Sequence, residues 1–184
     1  MKPTDEQASA WTEAFDSGKF VRKSSEFRDS ISKGGTFDVE SGRYHLYISH
    51  ACPWAHRTLI MRTLLGLEDH ISVDVVDWRM NADGSWSFNP DEEGATADTV
   101  NGESSLEGIY NRAFEGWNES HRIGTVPVLW DKKHATIVNN ESREIIRMFD
   151  QFSDEGFGNV TSLCPPELIQ EIDSMIDANY EAVN

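Results

Sequence analysis

The residues best suited to chemistry are the run Cys52-Pro53-Trp54-Ala55-His56-Arg57. The nucleophile of a cysteine is its thiolate, so a reactive cysteine needs positive potential around it. Cys52 stands where a short β-type run gives way to a helical pattern. Pro53 suits the first helical turn, where its missing N–H costs nothing. The thiol there meets the positive end of a helix dipole and backbone N–H groups, a position that favours the thiolate. His56 and Arg57, one turn on, add positive potential. A dithiol motif would carry a second cysteine at position 55, and alanine stands there. A mixed disulfide formed on Cys52 therefore passes to an outside thiol rather than to a neighbour. The plain alternative is that Cys52 is only a small buried residue. A metal site on His50, Cys52 and His56 lacks an obvious fourth ligand and is set aside.

The elements that must position Cys52 read as follows. Tyr44–Ser49 is a strand after the Ser41-Gly42 turn signal. Trp54, Thr58, Met61 and Leu65 share one helical face, and Gly66 is placed to end that helix. Ile71–Val76 alternates as a second strand. Residues 81–105, rich in Asn, Asp, Gly, Ser and Glu, form a long loop. A helix is expected over Leu106–Trp117, a third strand over Val126–Trp130, and a fourth over Thr136–Val138. A helix opens at Glu141-Ser142, with Ile145, Ile146, Phe149 and Phe152 on one side. Another starts at Pro165-Pro166, with Leu168, Ile172, Met175, Ile176 and Tyr180 along one side. Strand–helix–strand followed by strand–strand–helix is the thioredoxin pattern, an α/β class.

Two further pieces suit a bound thiol. A cis bond at Val126-Pro127 would leave the Val126 backbone open to a peptide-like ligand, although trans is the default for X–Pro. Glu141-Ser142 at a helix start offers N–H groups and a hydroxyl to a carboxylate, or else is an ordinary N-cap. The lone nucleophile and these seats point to glutathione or a similar small thiol.

The stretches FVRKSSEFRDSI, RYHLYISHACPWAHRTLIMRTLLGLEDHISVDVVD, TVPVLWDKK and TIVNNESREIIRMF span most of residues 19–150. Together they resemble the xi-class glutathione transferases, the glutathionyl-hydroquinone reductases. The resemblance implies a thioredoxin-like domain over 44–150, behind an N-terminal extension (1–43). It implies that 151–184 are the linker and first helix of an all-helical domain, here truncated, and that the protein is a homodimer. It implies that Cys52 removes glutathione from glutathionyl-hydroquinones through a mixed disulfide, which a second glutathione resolves. It places Trp86 against glutathione, Val126 on its backbone, and Glu141 with Ser142 on its γ-glutamyl end. Arg122 would assist, one residue further from the proline than the usual spacing. Tyr180 does not match the tyrosines that contact the hydroquinone in the family. The quinone site is therefore expected to be mostly missing, with Leu168, Ile172 and Met175 left as exposed apolar surface. A broader omega- or glutaredoxin-like thioltransferase and a non-catalytic transferase-like fragment are the alternatives. γ-Glutamylcysteine would satisfy the same seat as glutathione, and no bound cofactor is implied.

Composition bounds these readings. Among 184 residues, 16 Lys and Arg face 32 Asp and Glu, a net charge of −16. A field that negative repels nucleic acid and anionic membranes. It is equally compatible with adaptation to high salt. No apolar run approaches the ~20 residues that cross a bilayer. The polar, acidic start is not a secretory signal, and the two cysteines are too few for a disulfide scaffold. These features lead to the expectation of a cytoplasmic protein with reduced thiols. Cys164 is read as a core or linker residue. Trp11, Phe15, Phe20, Phe27 and Phe37 mark an extended arm pinned by its rings, with a disordered tail as the alternative.

Overall fold

The computed structural model describes residues 15–16, 19–20, 25–81, 84–117, 123–159 and 162–183. Two short strands, β1 (Phe15–Asp16) and β2 (Lys19–Phe20), pair antiparallel. Trp11 lies outside the described residues. The main sheet follows: β3 (Tyr44–Ser49), β4 (Ile71–Val76), β5 (Val128–Asp131) and β6 (Thr136–Asn139), in the order β4-β3-β5-β6. β3 pairs parallel with β4 and antiparallel with β5, and β5 pairs antiparallel with β6.

β3 is buried along its whole length because both of its faces are covered. Tyr44 packs edge-on against Phe152 on one face. Tyr47, on the other, meets Phe88 and donates to Asp98 at 2.9 Å. A parallel pair needs a crossover, and α1 (Pro53–Leu64) supplies it. Gly66, at φ +67°, closes α1. Its N–H bonds the Thr63 carbonyl at 3.0 Å and the Leu67 N–H bonds that of Arg62 at 2.9 Å. That pairing satisfies helix-end carbonyls and requires a left-handed residue at position 66.

The remaining helices are α2 (Leu106–Ala113), α3 (Ser142–Asp154) and α4 (Ile169–Val183). Three boundaries differ from the sequence expectation. α2 stops four residues short of Trp117 because Phe114 turns extended, at φ −143°, and Gly116 adopts a positive φ. β5 starts at Val128 rather than Val126, since Pro127 has no N–H to give and the pairing with β3 begins at Tyr47 opposite Val128. Pro166–Leu168 form a 3-10 turn, so α4 begins at Ile169.

α4 docks on α3 through ion pairs and leaves part of its apolar side exposed, as expected. Arg143 bonds Asp177 at 2.5 Å and Asp173 at 3.2 Å, and Arg147 bonds Asp173 at 2.8 Å. These pairs turn the Asp173 side of α4 toward α3. Ile172 is therefore half-buried, whereas Met175 is 66% exposed and Leu168 is also exposed. On α3, Ile145, Phe149 and Phe152 are buried and Ile146 is only half-buried.

Residues 27–29 run along the outer edge of β6. The Asp29 N–H donates to the Val138 carbonyl at 3.0 Å, and Asn140 N–H to the Phe27 carbonyl at 3.1 Å. Phe27 packs on Tyr110 and Trp117, and Phe37 is buried against the His134 ring. β4 is covered in turn by the loop that follows it. Thr96 N–H donates to Val75 O at 2.8 Å, and Asp74 accepts from Thr99 N–H at 2.6 Å and Thr99 Oγ1 at 2.8 Å. Among the described residues, no helix is long and apolar enough to cross a membrane.

Candidate active site

Cys52 is the N-cap of α1, with an extended backbone and Pro53 directly behind it. It is half-buried, and its thiol is not engaged in capping the helix. Its Sγ donates to the Val126 carbonyl at 3.5 Å. The fold thus brings together two residues 74 positions apart. The Val126–Pro127 bond is cis. Cys52 and Cys164 are both free, so no disulfide joins them. Cys164 Sγ touches the Arg147 guanidinium beside α3. No group of three or more His, Cys, Asp and Glu that could hold a metal ion occurs among the described residues.

Glu141 and Ser142 meet α1 through Arg57. The Arg57 guanidinium donates to Ser142 Oγ from Nε at 2.9 Å and from Nη2 at 2.5 Å. It also lies 3.6 Å from Glu141 Oε1. Glu141 is the N-cap of α3: Oε1 accepts from Arg143 N–H at 3.3 Å, and Oε2 from Ser25 Oγ at 3.1 Å. Its own N–H donates to Asn139 Oδ1 at 2.7 Å. Ser142 is fully buried. The arrangement sets a carboxylate beside a guanidinium, a hydroxyl and a helix N-terminus. Such a set can hold an ammonium and a carboxylate at once, the charge pattern of an α-amino acid.

Arg57 is the link that the sequence reading missed. The sequence assigns it only general positive potential, whereas its guanidinium is committed to Glu141 and Ser142. His56 is exposed. Ser25 was missed for a similar reason, being 116 residues from its partner. The only local hint of the surrounding bonds is the run Asn139-Asn140-Glu141-Ser142 itself.

Trp86 is half-buried and fixed from behind. Its carbonyl accepts the Leu106 N–H at 2.8 Å, at the start of α2, and its N–H approaches Glu107 Oε2 at 3.4 Å. Arg122 lies outside the described residues. A groove of about 1110 Å³ opens on the other flank of α3, toward α4. Arg143, Arg147, Asp150, Cys164 and Asp173 line it, and among the described candidate residues Glu141 alone lies on its rim.

Comparison with known proteins gives the family and the fold. A family model described as "Glutathione S-transferase, N-terminal domain" matches residues 51–151. The glutathionyl-hydroquinone reductase YqjG of Escherichia coli (strain K12) is 46% identical over 175 residues, covering 91% of this chain and 52% of that protein. Its glutathione-bound structure superposes with a TM-score of 0.78 at 44% identity, over 86% of this chain and 53% of that one. The omega-like glutathione S-transferase 2 of Schizosaccharomyces pombe is 46% identical over 172 residues, covering 91% of this chain and 53% of that protein. A Xi-class transferase from Natrialba magadii superposes with a TM-score of 0.77 at 47% identity, over 86% of this chain and 48% of that one. The chain spans about half the length of the curated relatives it matches. By the match of residues 51–151, and with neighbours of the Xi class, the chain belongs to the glutathione S-transferase family through its N-terminal domain.

Proposed function

We propose that this chain takes glutathione from glutathionyl-hydroquinones onto Cys52. The observation that carries the proposal is the Cys52 thiol at the head of α1, 3.5 Å from the Val126 carbonyl, with Ala55 where a resolving cysteine would stand. The Cys52 thiolate attacks the glutathione sulfur of the conjugate. A disulfide bond forms, the sulfur–aryl bond breaks, the aryl carbon takes up a proton, and the hydroquinone leaves. A second glutathione thiolate attacks the glutathione sulfur held on Cys52. Glutathione disulfide leaves, and the Cys52 thiolate returns. The aryl carbon is reduced by two electrons, one from the sulfur of the conjugate's own glutathione and one from the sulfur of the second glutathione.

In this reading the Val126 backbone pairs with the cysteinyl part of glutathione. Glu141 takes the γ-glutamyl ammonium and Ser142 its carboxylate, while Trp86 flanks the tripeptide and Arg122 assists. γ-Glutamylcysteine fits the same seat, since it shares the γ-glutamyl-cysteine part. We read the setting as cytoplasmic from the charge and cysteine content, and the assembly as a homodimer from the resemblance to the Xi class. The omega-like name of the fission-yeast relative favours a second reading, a broader thioltransferase using the same Cys52 chemistry.

The test is product analysis. The chain is incubated with glutathionyl-menadiol and glutathione without oxygen, and menadiol and glutathione disulfide are quantified. Equal amounts of both, lost in Cys52→Ser, support the proposal. Turnover of simple mixed disulfides with none of the conjugate would move the assignment to the thioltransferase.

A further inference from the structure

One buried hydroxyl joins both halves of the proposed glutathione seat. Tyr110, in α2, is fully buried. Its hydroxyl donates to the Thr125 carbonyl at 2.8 Å and accepts the Thr125 N–H at 3.2 Å. It also accepts from Asn140 Nδ2 at 3.0 Å. Thr125 directly precedes Val126, and Asn140 directly precedes Glu141. The ring beneath this hydroxyl is held in place: it stacks on Trp117 at 4.5 Å and meets Phe27 edge-on at 5.7 Å. The chain at Gly124 crosses so close to the ring that an added Cβ would sit 3.0 Å from it. Asn140 is fixed at its other end, where Oδ1 accepts the Phe27 N–H at 3.3 Å.

We propose that Tyr110 is a positioning residue for glutathione. Its hydroxyl sets the spacing between the Val126 segment, which takes the cysteinyl part, and the Glu141–Ser142 turn, which takes the γ-glutamyl end. The inference rests on the glutathione reading above. A ligand gripped at two points binds well only where the two grips are held at one spacing before it arrives. Removing the hydroxyl leaves the Thr125 N–H and the buried Asn140 amide without their shared partner, and both segments shift to recover one. Tyr110 reaches Cys52 only indirectly, through the Val126 segment whose carbonyl the thiol contacts at 3.5 Å, so its loss acts on tripeptide binding more than on the reactivity of the thiol.

The test compares two disulfides in single turnover on the full chain, read as the mass of the Cys52 adduct. Glutathione disulfide carries the tripeptide, and bis(2-hydroxyethyl) disulfide carries the same reactive bond without it. With either, the Cys52 thiolate attacks one sulfur, the S–S bond breaks, and the leaving thiolate takes a proton from solvent. In Tyr110→Phe, half-saturation by glutathione disulfide rises about fivefold or more, and the maximal rate stays within about twofold. The rate with hydroxyethyl disulfide also stays within about twofold of wild type. Asn140→Ala shifts half-saturation in the same direction, and the double variant is little worse than the larger single effect, because both remove one link.

Unchanged half-saturation in a folded Tyr110→Phe chain overturns the role of Tyr110 and leaves the glutathione reading standing. Equal slowing with both disulfides overturns it too, as general loosening around Cys52. Should Tyr110→Phe not fold, Asn140→Ala decides by the same comparison. A wild-type chain that fails to saturate with glutathione disulfide and treats both disulfides alike overturns the glutathione reading, and the role of Tyr110 with it.

Discussion

The Asp131→Asn variant should lose about 3 kcal/mol of stability and keep its thiol chemistry. Asp131 has no solvent exposure, and Arg43 is nearly as buried. Arg43 grips the carboxylate with two bonds, Nε to Oδ1 at 2.8 Å and Nη2 to Oδ2 at 2.6 Å. Lys133 N–H adds a third at 2.9 Å, and a His134 ring nitrogen lies 2.6 Å from Oδ2. Breaking a buried, hydrogen-bonded pair from one side costs about 3–5 kcal/mol, because the other charge stays buried. Asparagine retains one acceptor, which places the loss at the lower end. For a chain of this size, about 3 kcal/mol lowers Tm by roughly 6–12 °C. The pair sits at the start of β3, and Cys52 lies beyond its end, a strand of six residues or about 20 Å away. Urea unfolding followed by tryptophan fluorescence gives the first quantity, and the rate of Cys52 alkylation by iodoacetamide at low temperature gives the second. A loss below about 1 kcal/mol would refute the argument that this pair is effectively dry. A normal stability loss with slowed alkylation would refute the claim that the two ends of β3 act independently. Replacing both partners, as Arg43→Met with Asp131→Leu, should restore most of the lost stability, since no charge is then stranded.

Other outcomes follow from the same contacts. Burial tends to raise the carboxyl pKa of Asp131 and of Asp74, but the Arg43 grip on one, and the His45 ring 3.1 Å away with the Thr99 bonds on the other, outweigh it, holding both below the ordinary 3.8. The stability they contribute is full above that value and disappears as the pH falls through it and below, so Tm should decline steeply under about pH 4.5. A flat Tm between pH 6 and 3 would contradict this. Gly158→Ala should cost more than about 2 kcal/mol, because the residue holds φ +84° and a Cβ there would fall on the Leu65 carbonyl oxygen; a thermal melt checks it. Asp98→Ala should cost about 3 kcal/mol and open the turn before α2 to limited proteolysis near residues 98–103, since its carboxylate accepts the Tyr47 hydroxyl and the N–H groups of Val100, Asn101 and Glu103.

What could be read from the residues depended on how local the signal was. β3, α1 and β4 were legible because alternation, Pro53 and Gly66 each mark a boundary by their own chemistry. The segment after α2 was not, because Phe114 leaves the helix two residues ahead of Gly116, whose positive φ the apolar pattern running on to Trp117 does not reveal. Of the α4-side residues expected to stand exposed, Leu168 and Met175 do, whereas Ile172 is half-buried because ion pairs to Arg143 and Arg147 set the rotation of the helix. The candidate site divides in the same way. Cys52, Val126 and Glu141-Ser142 each sit in a recognisable short motif. Arg57, Ser25 and Tyr110 act through bonds spanning 85, 116 and 30 positions, and no periodicity encodes such partners.

The central claim is that Cys52 accepts the glutathionyl group from a conjugate. It is tested most directly by the intact mass of the chain after brief exposure to glutathionyl-menadiol near neutral pH, beside Cys52→Ser. The account predicts one glutathionyl group on the wild type, located on Cys52, and none on the variant. A folded wild-type chain that stays unmodified, or an adduct that persists in Cys52→Ser, would contradict it.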